Sequence, residues 1–399
     1  MRVVLALFRY FPHGGMQRDA MATAALLQER GHDVRMVCHT FAGPGTAPQT
    51  GTGPQTGTGP QTGSDRVPID VLRAGGRTNH GRAARFDRLL AEYRARQQPD
   101  VVVGFDKLSG LDFYFAADPC FVDRTRNRPF AYRWTPRYRT FRALEGAVFA
   151  RTSTTRILLL ANATAAAYRD AWQTPADRFV LLGPGVARDR CRNDRAAALR
   201  AAGRRELKLG DEHRCLLMLA ANPHLKGLDR ALAAVRELPE AERGRCRLVA
   251  VGAGHSDDMA ALAQRAGLGD QLMQLPGRDE VPQLLQAADL LVHPARRDTT
   301  GTVLLEALVA GLPIVCSDAC GYAEHVRAAD VGEVLAQPAN ARAFAAAIRR
   351  QLQRPREQVV QRAASYGRAH DLHSMHEQLV EQITAARPPR SCRAAGRRG

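Results

Sequence analysis

Residues 298–313, DTTGTVLLEALVAGLP, combine groups that suit a phosphorylated ligand. They follow the apolar run LLVHP, which predicts a strand, and their own apolar spacing predicts a helix that begins near Gly301. Free amides at a helix N-terminus attract phosphate. Glu306 lies near that helix start, where a carboxylate can accept hydrogen bonds from two neighbouring ribose hydroxyls, and Asp298 lies in the preceding loop. A capped amphipathic helix with a solvated glutamate explains the same residues equally well.

The length, composition and charge of the chain limit the classes of protein to which it can belong. The chain has 399 residues, enough for two domains, and 45% of them are hydrophobic, enough for sizeable cores. Its net charge of +17 suits nucleic acid, an anionic lipid surface or a phosphorylated substrate, and charge alone does not choose among them. The eight cysteines lack paired spacing, which indicates free thiols. No apolar run reaches the ~18–20 residues of a membrane span or has the pattern of a signal peptide, so we expect a cytoplasmic protein.

Apolar runs alternate with amphipathic segments along most of the chain. RVVLALF at 2–8 predicts a buried strand and residues 16–30 predict a helix. The same alternation restarts with CLLMLAA at 215–221. It predicts an α/β fold of two doubly wound, Rossmann-like domains with a cleft between them. We place the domains at 1–182 and 183–355, a helical tail at 356–386 and a disordered end at 387–399.

A six-residue unit repeats about three times at 45–63, GTAPQTGTGPQTGTGPQTG. Gly, Pro, Thr and Gln do not build a hydrophobic core. We therefore predict a disordered surface loop inserted into the first domain.

Several motifs, in their order along the chain, resemble those of the retaining GT-B glycosyltransferases of family 4. More narrowly, the chain is similar to the bacterial lipopolysaccharide core glucosyltransferases that add the first glucose to the inner-core heptose. The family's acidic pair, two glutamates separated by seven residues, stands here as Asp298 and Glu306. The narrower group shares YFPHGGMQRD, TNHGR, VVGFDKLSGLDFYFAADPCF, RYR and LLEALVAGLPIVCSDACGYAEHV. The resemblance covers residues 1–385 outside the repeat.

The resemblance implies an acceptor-binding first domain, a nucleotide-sugar-binding second domain and a helical tail that crosses back to the first domain. In such enzymes the loop after the first strand lies under the donor diphosphate. Gly14 and Gly15 would let backbone amides approach the phosphates, since no Cβ stands in the way. Arg18 and Asp19 begin the following helix and are expected to face the acceptor or the donor sugar.

The resemblance also implies how the reaction is catalysed. The departing phosphate oxygen takes the acceptor proton, so the protein positions both substrates and stabilises the departing charge. Lys226 matches the family's lysine, and no metal and no cofactor are expected. Two positions depart from the family pattern: Leu225 stands where the family has an arginine, and Asp298 replaces the first glutamate. Arg230, one helical turn from Lys226, is a weak substitute for that arginine.

Further site residues come from the matching motifs. The catalytic set is expected to be Lys226, Asp298, Asp19 and Asp112. Donor contacts are expected from Gly14, Gly15, Gly301, Thr302, Val303, Glu306, Arg278 and Glu324, and acceptor contacts from Arg18, His80 and Arg82. A structural role explains His80, Asp112 and Glu324 equally well, and for Asp106 and Asp118 we favour a structural or surface role.

The segment RTRNRPFAYRWTPRYRTFR at 124–142 has seven arginines, five aromatic residues and no acidic residue. Arg beside Trp and Tyr is typical of a protein surface that binds an anionic membrane. RNA or plain solvent would also suit this composition. In the enzymes that the chain resembles, this region contacts the inner leaflet, which favours the membrane.

These inferences predict an enzyme that moves glucose from UDP-glucose to a heptose of the lipopolysaccharide inner core. The expected partners are the nucleotide sugar, a heptosylated lipid A-type acceptor and the anionic inner face of the inner membrane, with no nucleic acid. One alternative is a family 4 transferase with another hexose donor or another glycolipid acceptor. Another is a degenerate transferase that serves as a membrane-bound scaffold, since Leu225 and Asp298 depart from the pattern. A nucleic-acid binder is third, because no recognisable module of that class is present.

Overall fold

The computed structural model describes residues 1–11, 14–42, 55–58, 67–252 and 254–386. These residues form two compact α/β units. The first unit comprises Met1–Leu182 with the described residues from Met375 onward, and the second comprises Gly183–Ser374. None of the described helices combines the length and the apolar character that crossing a bilayer requires.

The first unit alternates strands and helices as the apolar pattern predicts. Its strands are β1 (Arg2–Tyr10), β2 (Asp33–Phe41), β3 (Gln55–Thr58), β4 (Pro68–Val71), β5 (Val101–Gly104), β6 (Phe113–Ala116), β7 (Arg156–Leu159) and β8 (Phe179–Leu181). Its helices are α1 (Gly15–Glu29), α2 (Asn79–Gln97), α3 (Phe121–Arg124), α4 (Pro136–Phe149) and α5 (Ala163–Trp172), with 3₁₀ turns at Phe130–Trp134 and Ala176–Arg178.

These strands form one sheet in the order β3-β4-β2-β1-β5-β6-β7-β8. The apolar strand β1 lies at its centre, pairing in parallel with β2 on one side and with β5 on the other. Helix α1 buries Ala20, Ala24 and Leu27 on one face of the sheet. On the other face, α2, α4 and α5 contribute a core that includes Phe86, Phe149 and Tyr168.

The repeat differs in part from its prediction. Gln55–Thr58 form the edge strand β3, which pairs antiparallel with β4. Backbone hydrogen bonds suffice for such a strand, so it needs no apolar side chains. The other residues of the repeat, and the predicted disordered end at 387–399, lie outside the described residues.

The second unit repeats the plan. Its strands are β9 (Arg214–Ala220), β10 (Cys246–Gly252), β11 (Leu272–Pro276), β12 (Leu290–His293), β13 (Ile314–Ser317) and β14 (Gly332–Leu335). Its helices are α6 (Ala196–Glu206), α7 (Pro223–Lys226), α8 (Leu228–Arg236), α9 (Glu240–Arg245), α10 (Asp257–Arg265), α11 (Val281–Ala287), α12 (Thr302–Val309), α13 (Ala323–Ala329), α14 (Ala341–Gln353) and α15 (Arg356–Ala369), with 3₁₀ turns at Arg188–Arg190 and Gly269–Gln271.

Its sheet is fully parallel, in the order β11-β10-β9-β12-β13-β14. Helices cover both faces: α11, α12, α13 and α15 build one core and α8, α10 and α14 the other. Near-continuous apolar strands are expected in such a sheet, because both faces are buried.

The C-terminal helices differ from the single tail expected at 356–386. Helix α15 packs in the second unit, where Val359 and Ala363 join the core. The last described helix, α16 (Met375–Ala385), belongs instead to the first unit and packs against α1. Its residues Met375, Leu379, Val380 and Ile383 are part of the core beneath β1. The tail is therefore two helices, and each completes a different unit.

This packing predicts that α16 stabilises the first unit. Leu379 is fully buried, so Leu379→Ala should lower the free energy of unfolding by ~2–5 kcal/mol through lost burial and a residual cavity. Denaturant melts would measure the change. Exposed Glu377 on the same helix is the control, and Glu377→Ala should change the stability by less than ~0.5 kcal/mol. Equal effects of the two substitutions would contradict the packing.

Candidate functional site

Each sheet contains one point at which the strand order reverses. In the first sheet the chain winds outward from β1 to β2 and then returns to place β5 on the other side of β1. In the second sheet the same reversal lies between β9 and β12. Open α/β sheets bind ligands outside the carboxyl ends of the strands at such points. We call these places the first and the second switch point.

Lys226 and Asp298 meet at the second switch point, although 72 residues of sequence number separate them. Lys226 ends the short helix α7, which follows β9 and whose start is capped by the Asn222 side chain. The Lys226 Nζ lies 2.6 Å from the Asp298 Oδ2. Gly227 makes this approach possible: it has φ +83°, and a Cβ there would lie 2.2 Å from the Pro294 carbonyl oxygen. The two loops can therefore approach each other only because residue 227 has no side chain.

His293, the last residue of β12, contacts the same carboxylate oxygen. Its Nε2 lies 2.9 Å from the Asp298 Oδ2, and its ring is fully buried. Burial opposes ionisation of Asp298, but the hydrogen bond and charge of His293 and the charge of Lys226 outweigh burial and hold the pKa of Asp298 well below its usual range. Asp298 therefore stays ionised at neutral pH and keeps the Lys226 ammonium in place. Reasoning from the sequence missed His293, whose signal is a polar residue that ends an apolar strand.

The side chains of His293, Asp298 and Cys320 place three potential metal ligands within 4.8 Å of one another. The Lys226 ammonium already binds the shared carboxylate oxygen. A cation at this place would be repelled by that ammonium, and we assign no metal to it. The expectation that the protein needs no metal and no cofactor stays a prediction.

The loop from Asp298 to Gly301 is held by backbone hydrogen bonds to the loop after β13. The Asp298 amide donates to the Ala319 carbonyl and the Tyr322 amide to the Thr300 carbonyl. Gly301 precedes α12 with φ +75°, a conformation that favours glycine. The amides of Thr302 and Val303 lie in the first helical turn, where the helix supplies no carbonyl partner. Free amides at a helix start of this kind can bind an anion.

Glu306 lies on the next turn of α12 and is 7% exposed. Its Oε1 is 3.6 Å from the Nε of Arg190, which is also buried. No hydrogen-bond donor among the described residues reaches this carboxylate. Beyond its ion pair with Arg190, the Glu306 carboxylate can therefore still accept hydrogen bonds. Nothing in the sequence signalled Arg190, which comes from a linker far from the motif.

Leu225 stands where the family has an arginine, so we looked for another arginine near Lys226 that could take its place. Leu225 is 36% exposed and makes no charged contact there. Arg230 donates to the Pro294 carbonyl and to the Gln337 side chain, so it is already engaged. Arg296, from the loop after β12, forms a two-pronged pair with Asp229 at 2.8 and 2.6 Å and also donates to the His224 carbonyl. Among the described residues, Lys226 is the Lys or Arg side chain that pairs with Asp298.

Two other predicted donor residues lie at the same edge of the second sheet. Arg278 follows β11 and is paired with Glu206 of α6. Glu324 is exposed in the first turn of α13. The structure thus places Glu324 at the carboxyl ends of the strands and ties Arg278 to a neighbouring helix.

Gly14 and Gly15 follow β1, at the carboxyl edge of the first sheet. A Cβ at Gly14 would lie 1.9 Å from Gln17 Oε1, so any larger residue there would require the Gln17 side chain to move. A Cβ at Gly15 would meet no atom within 4 Å, so neither packing nor a positive φ requires glycine at that position. Arg18 is exposed on the first turns of α1. Asp19 instead faces α16, with its Oδ1 3.3 Å from the His376 Nε2.

His80 and Arg82 lie at the start of α2, which follows β4 at this same edge. Thr78 caps the helix by accepting from the Gly81 amide. The His80 Nε2 lies 3.4 Å from the Thr78 hydroxyl, and the Nε of Arg82 is buried without a hydrogen-bond partner among the described residues. Asn79, between them and the sheet, accepts a hydrogen bond from Arg9.

The structure contradicts the placement of Asp112 in the site. Asp112 directly precedes β6, and its carboxylate accepts from the Val102 amide near the start of β5. Parallel strands put that position at the amino ends, the edge opposite to the other candidates. Asp112 therefore has a structural role, tying the β5 and β6 starts together.

Asp106, unlike Asp112, lies at the carboxyl edge of the first sheet. It follows β5 at the first switch point, and its Oδ2 accepts from the Phe8 amide at 2.6 Å. Burial, and next the negative charge of Asp118, raise the pKa of Asp106 to about 6. Its surroundings therefore disfavour the ionised form, and perturbed pKa values of this kind occur at functional sites as well as at structural ones. The structural role favoured for Asp106 stays a prediction, and its hydrogen bond with the Phe8 amide is compatible with it.

The basic segment 124–142 presents aromatic residues to solvent. Phe130 is 68% and Trp134 72% exposed. Guanidinium groups stack over exposed rings, as Arg133 does over Phe130 at 5.6 Å. The segment comprises α3, a 3₁₀ turn and the first half of α4, all in the first unit.

We predict that Asp106 destabilises the fold at neutral pH. An acid whose pKa is raised by folding binds its proton more tightly in the folded state, so stability falls as the pH rises from about 4 to about 6. Asp106→Asn removes that cost and still accepts from the Phe8 amide. It should raise the unfolding free energy by ~1–3 kcal/mol at pH 7.5 and by nothing at pH 4. Urea melts at both pH values would measure this.

The control is Asp112→Asn, which alters a carboxylate bound to a strand amide at the opposite edge. It should show no gain at either pH. A gain of Asp106→Asn that is equal at pH 4 and pH 7.5 would contradict the burial of a charged Asp106.

Comparisons with known proteins agree with this architecture. Residues 14–185 match the glycosyl transferase 4-like domain, and residues 200–370 match the glycosyl transferases group 1 family. The chain is 34% identical over 387 residues to the lipopolysaccharide glucosyltransferase WaaG of Escherichia coli (strain K12), covering 96% of this chain and 99% of that protein.

Solved structures give the same result for the fold. A crystal structure of WaaG, a glycosyltransferase involved in lipopolysaccharide biosynthesis, aligns with a TM-score of 0.86 at 32% identity, covering 96% of this chain and 100% of that one. Anabaena Alr3699/HepE in complex with UDP-glucose aligns at 0.71 with 15% identity, over 96% of this chain and all of that one, which shows the fold alone. The chain belongs to the group 1 glycosyltransferases of GT-B fold, in one family with WaaG.

Proposed function

We propose that the protein transfers glucose from UDP-glucose to a heptose of the lipopolysaccharide inner core, with retention at the sugar carbon. The observation that carries the proposal is the Lys226–Asp298 contact beside Glu306 at the second switch point. It occurs in a chain 34% identical to a lipopolysaccharide glucosyltransferase over nearly the full length of both. The sugar, the base and the acceptor heptose are part of the proposal.

The second unit would hold the donor. Glu306 would accept hydrogen bonds from the two ribose hydroxyls, since no described residue donates a hydrogen bond to its carboxylate. The amides of Thr302 and Val303 would bind the diphosphate at the start of α12. Lys226 would lie against the phosphate that departs, and exposed Glu324 would contact the sugar.

Charge stabilisation at Lys226 would be the main catalytic contribution. Cleavage of the sugar–phosphate bond leaves negative charge on the diphosphate, and a fixed ammonium stabilises that charge without reorganisation. Asp298 and His293 orient the ammonium before the reaction begins. The departing phosphate oxygen would take the proton of the acceptor hydroxyl, which approaches on the same face. This close ion pair also supports an active transferase over the scaffold alternative.

The first unit would bind the acceptor at the inner face of the inner membrane. Arg18, His80 and Arg82 lie at the carboxyl edge of its sheet and are the proposed acceptor contacts. The basic segment 124–142 would dock on anionic lipid, because its exposed rings and guanidinium groups suit a negatively charged interface.

Glu306→Ala tests the donor site. Losing hydrogen bonds to a charged acceptor should weaken UDP binding by ~10- to 100-fold. Calorimetric titration with UDP and with 2′,3′-dideoxy-UDP would localise the effect to the ribose. The dideoxy nucleotide should bind weakly to the native protein and no more weakly to the variant.

Glu306→Gln is the matched control for packing beside Arg190, and thermal melts of both variants would show whether they are folded. An equal loss for UDP and its dideoxy analogue in a folded variant would contradict the ribose role.

Trp134 offers a direct test of membrane docking. The chain has two tryptophans, and Trp172 is held by Glu145, so Trp172→Phe leaves Trp134 as the emitter. Vesicles with anionic phosphatidylglycerol should shift Trp134 emission to the blue, whereas neutral phosphatidylcholine vesicles should not. Replacing Arg126, Arg128, Arg133 and Arg139 by Gln should abolish the shift.

A second set, the exposed Arg205, Arg236, Arg245 and Arg265 of the second unit, lowers the net charge equally. Those four substitutions should leave the shift intact. A shift that survives the first set, or disappears with the second, would contradict docking through 124–142.

The function itself is tested with radiolabelled nucleotide sugars and lipopolysaccharide whose core ends at heptose. UDP-glucose should label this acceptor, with UDP-galactose and GDP-mannose as competing donors. Transfer from another donor would support the alternative hexose, and no transfer together with no nucleotide binding would support the scaffold alternative.

A further inference from the structure

A cavity of about 240 Å³ lies in the first unit, at the first switch point. Phe8 of β1, Asp106 after β5 and Asp118 after β6 reach it from the carboxyl ends of three adjacent strands. Helices α2, α3 and α4 close its sides. The cavity would hold about eight water molecules at ~30 Å³ each, which suits one sugar ring better than an oligosaccharide.

The floor of this cavity is an acceptor of hydrogen bonds. One oxygen of Asp106 accepts from the Phe8 amide, and its other oxygen has no hydrogen bond to a described residue. The side-chain oxygen of Asn79 accepts a hydrogen bond from Arg9. Asn79 lines the cavity, and its side-chain NH2 is left as the donor. Phe8, Phe121 and Phe141 supply apolar faces. A carboxylate, an amide donor and flat apolar faces are the groups that bind a sugar ring.

Three cations line the cavity, and they differ in what they contact. Lys107 is neutralised within the unit, with its Nζ 2.7 Å from both Glu145 and the Pro119 carbonyl. Arg124 and Arg137 have no carboxylate partner among the described residues. Their guanidinium groups lie over Phe121 at 5.5 Å and over Phe141 at 5.2 Å. Stacking on a ring leaves the edge of a guanidinium free to bind an anion.

We propose that this cavity binds one anionic saccharide unit of the acceptor, with its hydroxyls on Asp106 and Asn79 and its phosphate or carboxylate on Arg124 and Arg137. This inference rests on the proposed function, since it names the acceptor group that the first unit reads. It assigns Arg137 a role that differs from that of the other arginines of the basic segment. Arg139 lies on the same helix and is also exposed, but it does not line the cavity.

Arg137→Gln and Arg139→Gln form a matched pair that separates ligand recognition from membrane attraction. The assay uses the full-length protein, UDP-glucose and a deacylated core oligosaccharide that ends at heptose, so no membrane is present. Arg137→Gln should raise the KM for the oligosaccharide about tenfold, the effect of one lost charge-assisted hydrogen bond. The KM for UDP-glucose and kcat should stay unchanged, and Arg139→Gln should change none of the three values.

Two chemically altered oligosaccharides identify the anionic group. In one the phosphates are removed with phosphatase, and in the other the carboxylates are converted to amides. For the native protein, the treatment that removes the group bound by Arg137 should raise the KM about tenfold. For Arg137→Gln, the same treatment should leave the KM unchanged. Equal KM values for Arg137→Gln and Arg139→Gln, or a loss in Arg137→Gln that both treatments leave intact, would overturn the proposal.

The proposed function can fail separately. If the native protein transfers no glucose, calorimetric titration with the same oligosaccharide still tests whether the cavity binds it. Binding that is about tenfold weaker for Arg137→Gln than for Arg139→Gln would support the site, and equal binding or none would overturn it.

Discussion

The contact between Lys226 and Asp298 is the interaction on which the second unit's site depends. A lysine ammonium and a carboxylate that are both withdrawn from water cost free energy unless they hold each other and further groups. Here His293 supplies the additional hydrogen bond, and Gly227 allows the two loops to approach. The parallel sheet supplies the rest, since it brings the ends of β9 and β12 together without any direct tie in the sequence.

Both units use the same geometric solution with different chemistry. At the second switch point the groups are a fixed cation, a helix start and a buried glutamate, which suit a nucleotide diphosphate. At the first they are Asp106, Asn79 and stacked arginines, which suit a sugar with an anionic substituent. In each case a carboxylate lies near a low-dielectric interior. The lowered pKa of Asp298 and the raised pKa of Asp106 show that one carboxylate is supported by its surroundings and the other is not.

The alternation of apolar and amphipathic segments was enough to predict both sheets, because buried parallel strands have a distinctive composition. Short strands escaped it: β6 is only FYFA, and β3 has no apolar residue to reveal it. The motif around Asp298 and Glu306 correctly indicated a helix start. Because β6 was not predicted, the sequence did not show that Asp112 directly precedes a strand and so lies at the edge opposite to Asp106. Arg190 could not be found either, because its pairing with Glu306 depends on how a linker folds.

The edge strand β3 has a consequence for how this chain can vary. The letters QTGT occur at 49–52 as well as at 55–58, one repeat unit apart. A gain or loss of a whole unit would therefore present the same four residues to β4. The insertion can change in copy number between generations while the border of the first sheet keeps its hydrogen bonds.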